Sequence, residues 1–562
     1  MSTLSILIET TVILSVVFVV LAYLYYKLST AKMSLSKAAD AKGYEDSESY
    51  VTDMMAGKPR RLDWSILYMN DSKSIGLRFI FASLIFLFIG GAFGVMMRLS
   101  LTEPVPTIIQ PEVYNVLLTE HATIMIYLFT VGMSLGLGFY LIPTQIKAVR
   151  DNMGNITSVA FWLYLVGGIF FVISRSAFRW YLYPPLSLQL APYGAGSDAW
   201  LGILAMELIF IGISMASIVA LKIIFLDRSK EVPLSRLPLF TWSIVFTLIM
   251  LISSDPPIMV ALGMLFYDYF NPVFFTAGSH NVLLFTDLFW FWGHPIVYIA
   301  ILPFFGIIYE LLPRFSGTKI YSYNSGVFGL GLLMVLSELV WGHHLQNSGL
   351  GLNWDLFFSI ASFAVVIPSA ITVFNWIATL WTATSIRLTT PMILVLNGII
   401  DFIIGGITGV MLANTSVNEI LHGTYAVTSH FHYVFVGISL GITLAAFYVL
   451  FPTFSGGRTY DERLARWNAY LVAFGSLLMS TSWAIGGWLG MPRAVDGYFA
   501  WFQPYQVGAI IGGVIIGIGM LVFLYNIAVS WWKAPSTDMD NIIENPPEIP
   551  SDTSGGAIGG GR

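Results

Sequence analysis

The sequence predicts an all-α integral membrane protein, and three observations carry that reading. The chain is 56% hydrophobic and only 10% charged, with a mean hydropathy of +0.75. Its apolar residues gather into runs of about 20, the length that crosses the hydrocarbon core of a bilayer as a helix, and no water-soluble domain of this size needs so much apolar surface. Finally, six of its eight histidines fall inside those runs. Imidazole is costly to bury in lipid, so an intramembrane histidine marks a functional site by default.

Thirteen spans are expected, near 4–26, 76–99, 117–145, 156–177, 200–226, 236–267, 282–312, 322–344, 352–381, 391–413, 423–452, 465–490 and 505–532. The first reads as an anchor and not a secretory signal, because no basic residue precedes its apolar run and the run is too long. With the polar, lysine-rich connection that follows, it makes a first unit, 1–75. Residues 76–533 hold the other twelve spans as one membrane domain. The tail 534–562 is rich in Pro, Gly and Ser and is expected to be flexible. No internal period of 20–50 residues and no soluble domain is apparent, and nucleic acid is not an expected partner.

Orientation follows from loop Lys and Arg, which stay on the cytoplasmic side. With 27–75 inside, Lys27, Lys32, Lys37, Lys58, Arg60 and Arg61 are cytoplasmic. Alternation adds Lys147, Arg150, Arg228, Lys230, Arg236, Arg314, Lys319, Arg387, Arg458, Arg463, Arg466 and Lys533. The C-terminus is then cytoplasmic. The outer side keeps Arg98, Arg175, Arg179 and Arg493, four exceptions that want a reason. There are no cysteines, which excludes disulfides, thiolate-bound iron–sulfur clusters and covalently attached haem.

The histidine spacings suggest metals. His430 and His432, two apart on a helix, point roughly 200° apart; they suit two large planar groups on opposite sides of one helix better than one small site. His121 is available as a second axial ligand for one of those groups. His294 and Tyr298 are neighbours at i, i+4, with Pro295 kinking the helix between them. His343 and His344 are adjacent where their span ends and the chain can leave regular helix. Three imidazoles without carboxylate or thiolate suit copper, zinc or iron. In the inferred topology all six lie in the outer half of the membrane. His280 reads as a loop residue, and His422 as a structural neighbour of the site.

These residues resemble subunit I of the haem–copper oxidase superfamily. The resemblance rests on Phe-Trp-Gly-His294-Pro-Ile-Val-Tyr298, Trp-Gly-His343-His344 and the run from His422 through His430-Phe-His432-Tyr, with support from Tyr183-Pro-Pro-Leu and Leu489-Gly-Met-Pro-Arg493. It covers Arg98 to Arg493 and implies a twelve-helix core, with the span at 4–26 as an N-terminal addition. By this likeness His121 and His432 are the axial ligands of a low-spin haem, and His430 is the proximal ligand of a high-spin haem. His294, His343 and His344 hold one copper ion, and Tyr298 is joined covalently to His294. Arg98 falls where the family places an arginine on a haem formyl group, implying an A-type haem. Arg493 meets haem propionates and His422 lies at the haem periphery; Arg175 and Arg179 receive no role.

The likeness implies the catalytic subunit of a terminal oxidase of the plasma membrane, reducing O2 to water and translocating protons. Its partners are further subunits, among them a subunit II, and an electron donor that is a cytochrome c, a blue-copper protein or a quinol. Several positions depart from the commonest members. Ile296 stands where they have glutamate, the loop Ala-Val-Arg-Asp-Asn-Met-Gly lacks their aspartate-led motif, and Thr372 stands where they have lysine. Together these resemble the B-type branch, with one proton path. Ala494 replaces a second propionate arginine, and Asn418 an aspartate. The expected path uses Tyr309, Ser369 and Thr372. On a straight helix Tyr298 and Tyr309 lie within about 20° of one face and about 16 Å apart, with Phe305 between them. Two other readings are a nitric oxide reductase of the same superfamily, which the His294–Tyr298 pairing opposes, and a histidine-bearing transporter, whose repeats and broken helices are not evident in the sequence.

Overall fold

A computed structural model describes residues 64–105, 107–149, 154–188, 198–275, 281–346, 348 and 351–533. The expected span at 4–26, most of the connection 27–75, the tail 534–562 and His280 lie outside the described residues.

Within them, twelve helices are long and apolar enough to cross a membrane: α1 (Ser72–Leu99), α2 (Pro111–Gln145), α3 (Gly154–Ser174), α4 (Ala199–Leu226), α5 (Leu239–Phe270), α6 (Val282–Ser316), α7 (Tyr323–Leu345), α8 (Leu352–Trp381), α9 (Thr390–Ala413), α10 (Tyr425–Ser455), α11 (Glu462–Trp488) and α12 (Ala500–Trp532). They match the twelve later expected spans, with ends displaced by local chemistry. α1 begins at Ser72 and not at 76 because the Asp71 carboxylate caps it, accepting from the Ser74 N–H at 3.0 Å. α2 begins at Pro111, a residue that fits the first helical turn because no partner is needed there for an N–H.

The spans are not equally interior. In α2 and α10, 89% of the membrane window is buried, and in α6 83%, against 22% in α8. The three innermost helices therefore carry His121, the His430/His432 pair and His294.

All three are irregular. α2 passes from α-helix to a wider π-helical stretch at Ile124–Val131, and α10 does the same at Phe435–Leu440. Each stretch begins three residues after a histidine, His121 or His432, and π segments of this kind concentrate at functional sites. α6 is broken twice, into Val282–Gly293, Pro295–Ile299 and Leu302–Ser316. Pro295 and Pro303 remove two N–H donors from the ladder. The Ala300 carbonyl, left over at the second break, accepts instead from the Ser439 hydroxyl of α10 at 2.8 Å. The straight-helix register assumed between Tyr298 and Tyr309 does not survive this break. α7 ends in a 3-10 turn, Trp341–Leu345, and that tighter winding brings His343 and His344 together.

Candidate metal centre

His294, His343 and His344 converge, offering ligand nitrogens that all lie within 4.8 Å of one another. Nδ1 of His294 is 3.2 Å from Nε2 of His344, and the three rings stand 4.4–5.4 Å apart, centre to centre. Two ring nitrogens that face each other at this distance need a shared proton or a shared cation. Nε2 of His294 is buried without a hydrogen-bond partner among the described residues, and the Tyr298 ring lies 5.4 Å from the His294 ring.

The tautomer of His343 follows from its neighbour. Its Nδ1 is 2.7 Å from Oγ of Ser362, and that hydroxyl already donates to the Phe358 carbonyl at 2.6 Å. A hydroxyl has one proton to give, so Nδ1–H of His343 must donate to it, leaving the Nε2 lone pair free toward its neighbours. The same logic holds for three other histidines. His121, His430 and His432 each place Nδ1 2.8 Å from a backbone carbonyl, of Gly90, Gly405 and Thr428 respectively. A carbonyl only accepts, so each Nδ1 donates and each Nε2 is left available. Metal-bound imidazoles are commonly fixed in this way by a second partner.

Two glycines make room. A Cβ on Gly94 would stand 2.7 Å from Nδ1 of His121, and one on Gly409 2.7 Å from Cε1 of His430. Larger residues at either place would push the ring out of position.

The six histidines line one cavity of about 1760 Å³, together with Arg98, Arg179, Arg493, Tyr298, His422 and Ser369. A usual small-molecule pocket holds about 300–1,000 Å³, so this one has room for more than one large group. Within it His432 lies in electrostatic reach of His121, whereas His430 lies in reach of His294 and His343. The pair on α10 thus faces two neighbourhoods. Unspent Nε2 atoms, an all-imidazole triad and a cavity of this size fit two large imidazole-bound cofactors and one soft-to-borderline metal ion.

Around the cavity, Arg98 donates to the Tyr425 hydroxyl at 2.6 Å and covers the Trp483 ring at 4.6 Å. Arg493 is placed by its backbone, whose N–H donates to the Gly423 carbonyl at 3.0 Å. His422 donates from Nδ1 to Oδ1 of Asn418 at 2.9 Å. Burial, and then the charge of Arg493, lower its pKa to about 4, so it is neutral at pH 7.

The expected proton-path residues are partly gathered. Tyr309 is buried and its hydroxyl accepts from Asn375 at 3.4 Å. Thr372 is fully buried, near the Tyr309 hydroxyl but without a hydrogen bond of normal geometry. Ser369 lines the cavity. Phe305 is wedged between Trp376 and Phe402, 5.0 and 4.8 Å away.

Sequence reasoning passed over Ser362, Gly94, Gly409 and Trp290, whose indole stacks on His344 at 3.8 Å and 8° and donates to the Tyr183 hydroxyl. Trp290 lies one residue before a quoted motif and could have been singled out by its place four residues before His294. The other three carry no local signal.

The family model for cytochrome c and quinol oxidase polypeptide I matches residues 74–515. Among similar proteins is a cytochrome c oxidase polypeptide 1 of Halobacterium salinarum, 35% identical over 481 residues, 83% of this chain and 79% of that one. The cytochrome c oxidase subunit 1 of Synechocystis is 34% identical, over 86% of this chain and 88% of its own. The quinol oxidase subunit 1 of Bacillus subtilis is also 34% identical, over 82% and 72%. A cryo-EM structure of a heme-copper terminal oxidase dimer shares the fold, with a TM-score of 0.74 at 22% identity over 85% of this chain and 86% of that one.

Proposed function

The chain belongs to the cytochrome c and quinol oxidase polypeptide I family, and from that premise we propose that it is the catalytic subunit of a respiratory terminal oxidase. It reduces O2 to water and couples the reaction to proton translocation across the membrane. The observation that carries this reading is the convergence of His294, His343 and His344 in the cavity that also takes His121, His430 and His432.

Copper would be held by Nδ1 of His294 and by His343 and His344. One haem would be held by His121 and His432, two imidazoles that together favour a low-spin iron. The other would be held by His430 and would supply an oxygen-binding position beside His294, His343 and His344. When bound, these groups supply the oxygen-binding position and most of the electrons. Arg98 near one haem favours an A-type formyl group, and Arg493 and His422 belong to the haem periphery.

The protein's own part is positional and protonic. Ser362 and the backbone carbonyls hold the imidazole tautomers that present Nε2. The unpartnered Nε2 of His294, with the Tyr298 ring beside it, supports a covalent His294–Tyr298 pair. The Tyr298 phenol then stands where it can release a proton and an electron to the reaction. Tyr309, Thr372 and Ser369 would pass protons inward from the cytoplasm through bridging waters, since hydroxyls both donate and accept. Ile296 and Thr372 favour the B-type branch with this single path. The loop charges support a plasma-membrane protein with a cytoplasmic C-terminus. Partners are a subunit II and other oxidase subunits, with cytochrome c, a blue-copper protein or a quinol as donor.

The triad contains no carboxylate among the described residues, which counts against a nitric oxide reductase, whose metal is supplemented by glutamates. The test is metal analysis and a visible spectrum of the purified complex with oxygen-uptake measurement. Two haems and one copper per chain are expected; a preparation that consumes oxygen without copper would overturn the reading.

A further inference from the structure

Arg175 and Arg179 are the two outer arginines without a role. Both have left-handed backbones, at φ 47° and 59°, a conformation that side-chain-bearing residues seldom adopt unless their surroundings impose it. Their situations differ. Arg175 is exposed, within electrostatic reach of Glu120. Arg179 lines the cavity. Its Nη1 donates to the Tyr181 hydroxyl at 2.9 Å and its Nη2 to the Ala494 carbonyl at 3.1 Å. Ala494 is left-handed as well, at φ 57°, so two unusual backbone conformations meet across one contact.

A guanidinium carries five N–H donors, and two of these are spent. Arg493, beside Ala494, lines the same cavity and lies in electrostatic reach of Arg179. Burial holds the Arg493 pKa below its ordinary value, with Tyr181, Arg179 and Tyr183 as smaller influences. Neither arginine has a carboxylate of the chain within ion-pair distance among the described residues. Two half-buried cations gathered at the cavity wall without a counter-charge among the described residues call for an anionic ligand.

The two arginines address different halves of the cavity. The Arg179 backbone N–H donates to the Thr119 hydroxyl at 2.8 Å, two residues before His121, and its charge reaches Tyr114, two turns before His121 on the same helix. The charge of Arg493 reaches His344 and His422.

We propose that Arg179 binds a carboxylate of the haem that His121 and His432 would hold, filling from the loop between α3 and α4 the cationic position that Ala494 leaves empty beside Arg493. This rests on the two-haem reading above. A guanidinium near a haem carboxylate favours the reduced iron, which carries one positive charge less. Its removal must therefore shift the midpoint potential of that haem to more negative values.

The test is a redox titration of the assembled complex, followed by the low-spin absorption band, with haem content measured on the same samples. Arg179→Gln should keep both haems and shift the low-spin haem negative. Arg179→Lys should stay close to wild type. Arg179→Gln with Ala494→Arg should recover most of the shift, because the Ala494 backbone already tolerates a Cβ in its left-handed conformation. Arg175→Gln should leave the potential where it was. If Arg179→Gln does not assemble, Ala494→Arg alone serves, and it should shift the same haem positive. An Arg179→Gln complex with two haems and an unmoved potential would overturn the assignment of Arg179 alone. Fewer than two haems in the unaltered complex would overturn the two-haem reading, and this proposal with it.

Discussion

Ser362→Ala tests whether the metal centre depends on a residue that never touches the metal. The Ser362 hydroxyl accepts the Nδ1 proton of His343 at 2.7 Å while donating to the Phe358 carbonyl. Without it the imidazole has two courses. It can keep its tautomer with Nδ1–H unpartnered, at a cost of about 1–3 kcal/mol for a buried donor. Or it can move the proton to Nε2 and lose the lone pair that would bind the metal. Both weaken the site, and second partners of metal-bound histidines typically contribute about 10–100-fold in affinity, or about 1.4–2.8 kcal/mol at 1.4 kcal/mol per tenfold. The assay is copper retention by the purified complex against a graded series of chelators, with haem spectra as the control for folding. Ser362→Ala should release copper at about 10–100-fold lower chelator activity, and Ser362→Thr, which keeps a hydroxyl, should retain most of it. Unchanged retention in Ser362→Ala would refute the tautomer argument.

Four further outcomes are expected. His294→Ala should lose copper but keep both haems, as measured by metal analysis beside a haem assay, since no haem ligand is touched. His121→Ala should abolish the low-spin spectrum while a carbon-monoxide-binding haem persists, and His430→Ala should do the reverse; loss of the same component in both would mean that His430 and His432 do not serve separate haems. Tyr298→Phe should retain all metals yet lose nearly all oxygen turnover in an oxygen-electrode assay, and substantial remaining activity would remove Tyr298 from the chemistry. Thr372→Val should slow turnover at unchanged haem spectra, because drawing a proton inward against the membrane potential costs about 2.3 kcal/mol per 100 mV and leaves little margin for a weakened path.

Most of the fold was legible because its signal is additive: a run of 20 apolar residues speaks for a helix whatever surrounds it. The histidines were legible for a related reason, since an imidazole in lipid needs a purpose. What stayed hidden depends on contacts between distant segments. Ser362 meets His343 across 19 residues, and Gly409 matters only because His430 lies against it. The π segments after His121 and His432 escaped because a run such as Ile-Met-Ile-Tyr-Leu-Phe-Thr-Val is almost wholly hydrophobic and shows no period to depart from. Arg179 was visible as an oddity of charge, but the Ala494 carbonyl that holds it is 315 residues away.

The second break in α6 bears most on the proposed proton route to Tyr298. An unbroken helix would set Tyr309 and Tyr298 on one face with Phe305 between them, a row that a phenyl ring interrupts. The break at Ala300–Ile301 changes that relation. It exposes backbone polar groups at membrane depth, where they persist only if buried in protein or facing a wet cavity. One of them, the Ala300 carbonyl, is taken by Ser439 in the π segment of α10, which ties the helix of His294 to the helix of His430 and His432. Phe305, clamped by Trp376 and Phe402, closes the direct line along α6. Thr372 stands beside Tyr309 on α8, and Ser369, one turn outward on the same helix, opens on the cavity that contains Tyr298. The proposed route with fewest apolar obstacles would therefore leave α6 at Tyr309, run along α8 past Thr372 and Ser369, and return across the cavity. The narrowest point of that proposed route is the buried Thr372 hydroxyl, which lies beside Tyr309 and makes no hydrogen bond of normal geometry among the described residues.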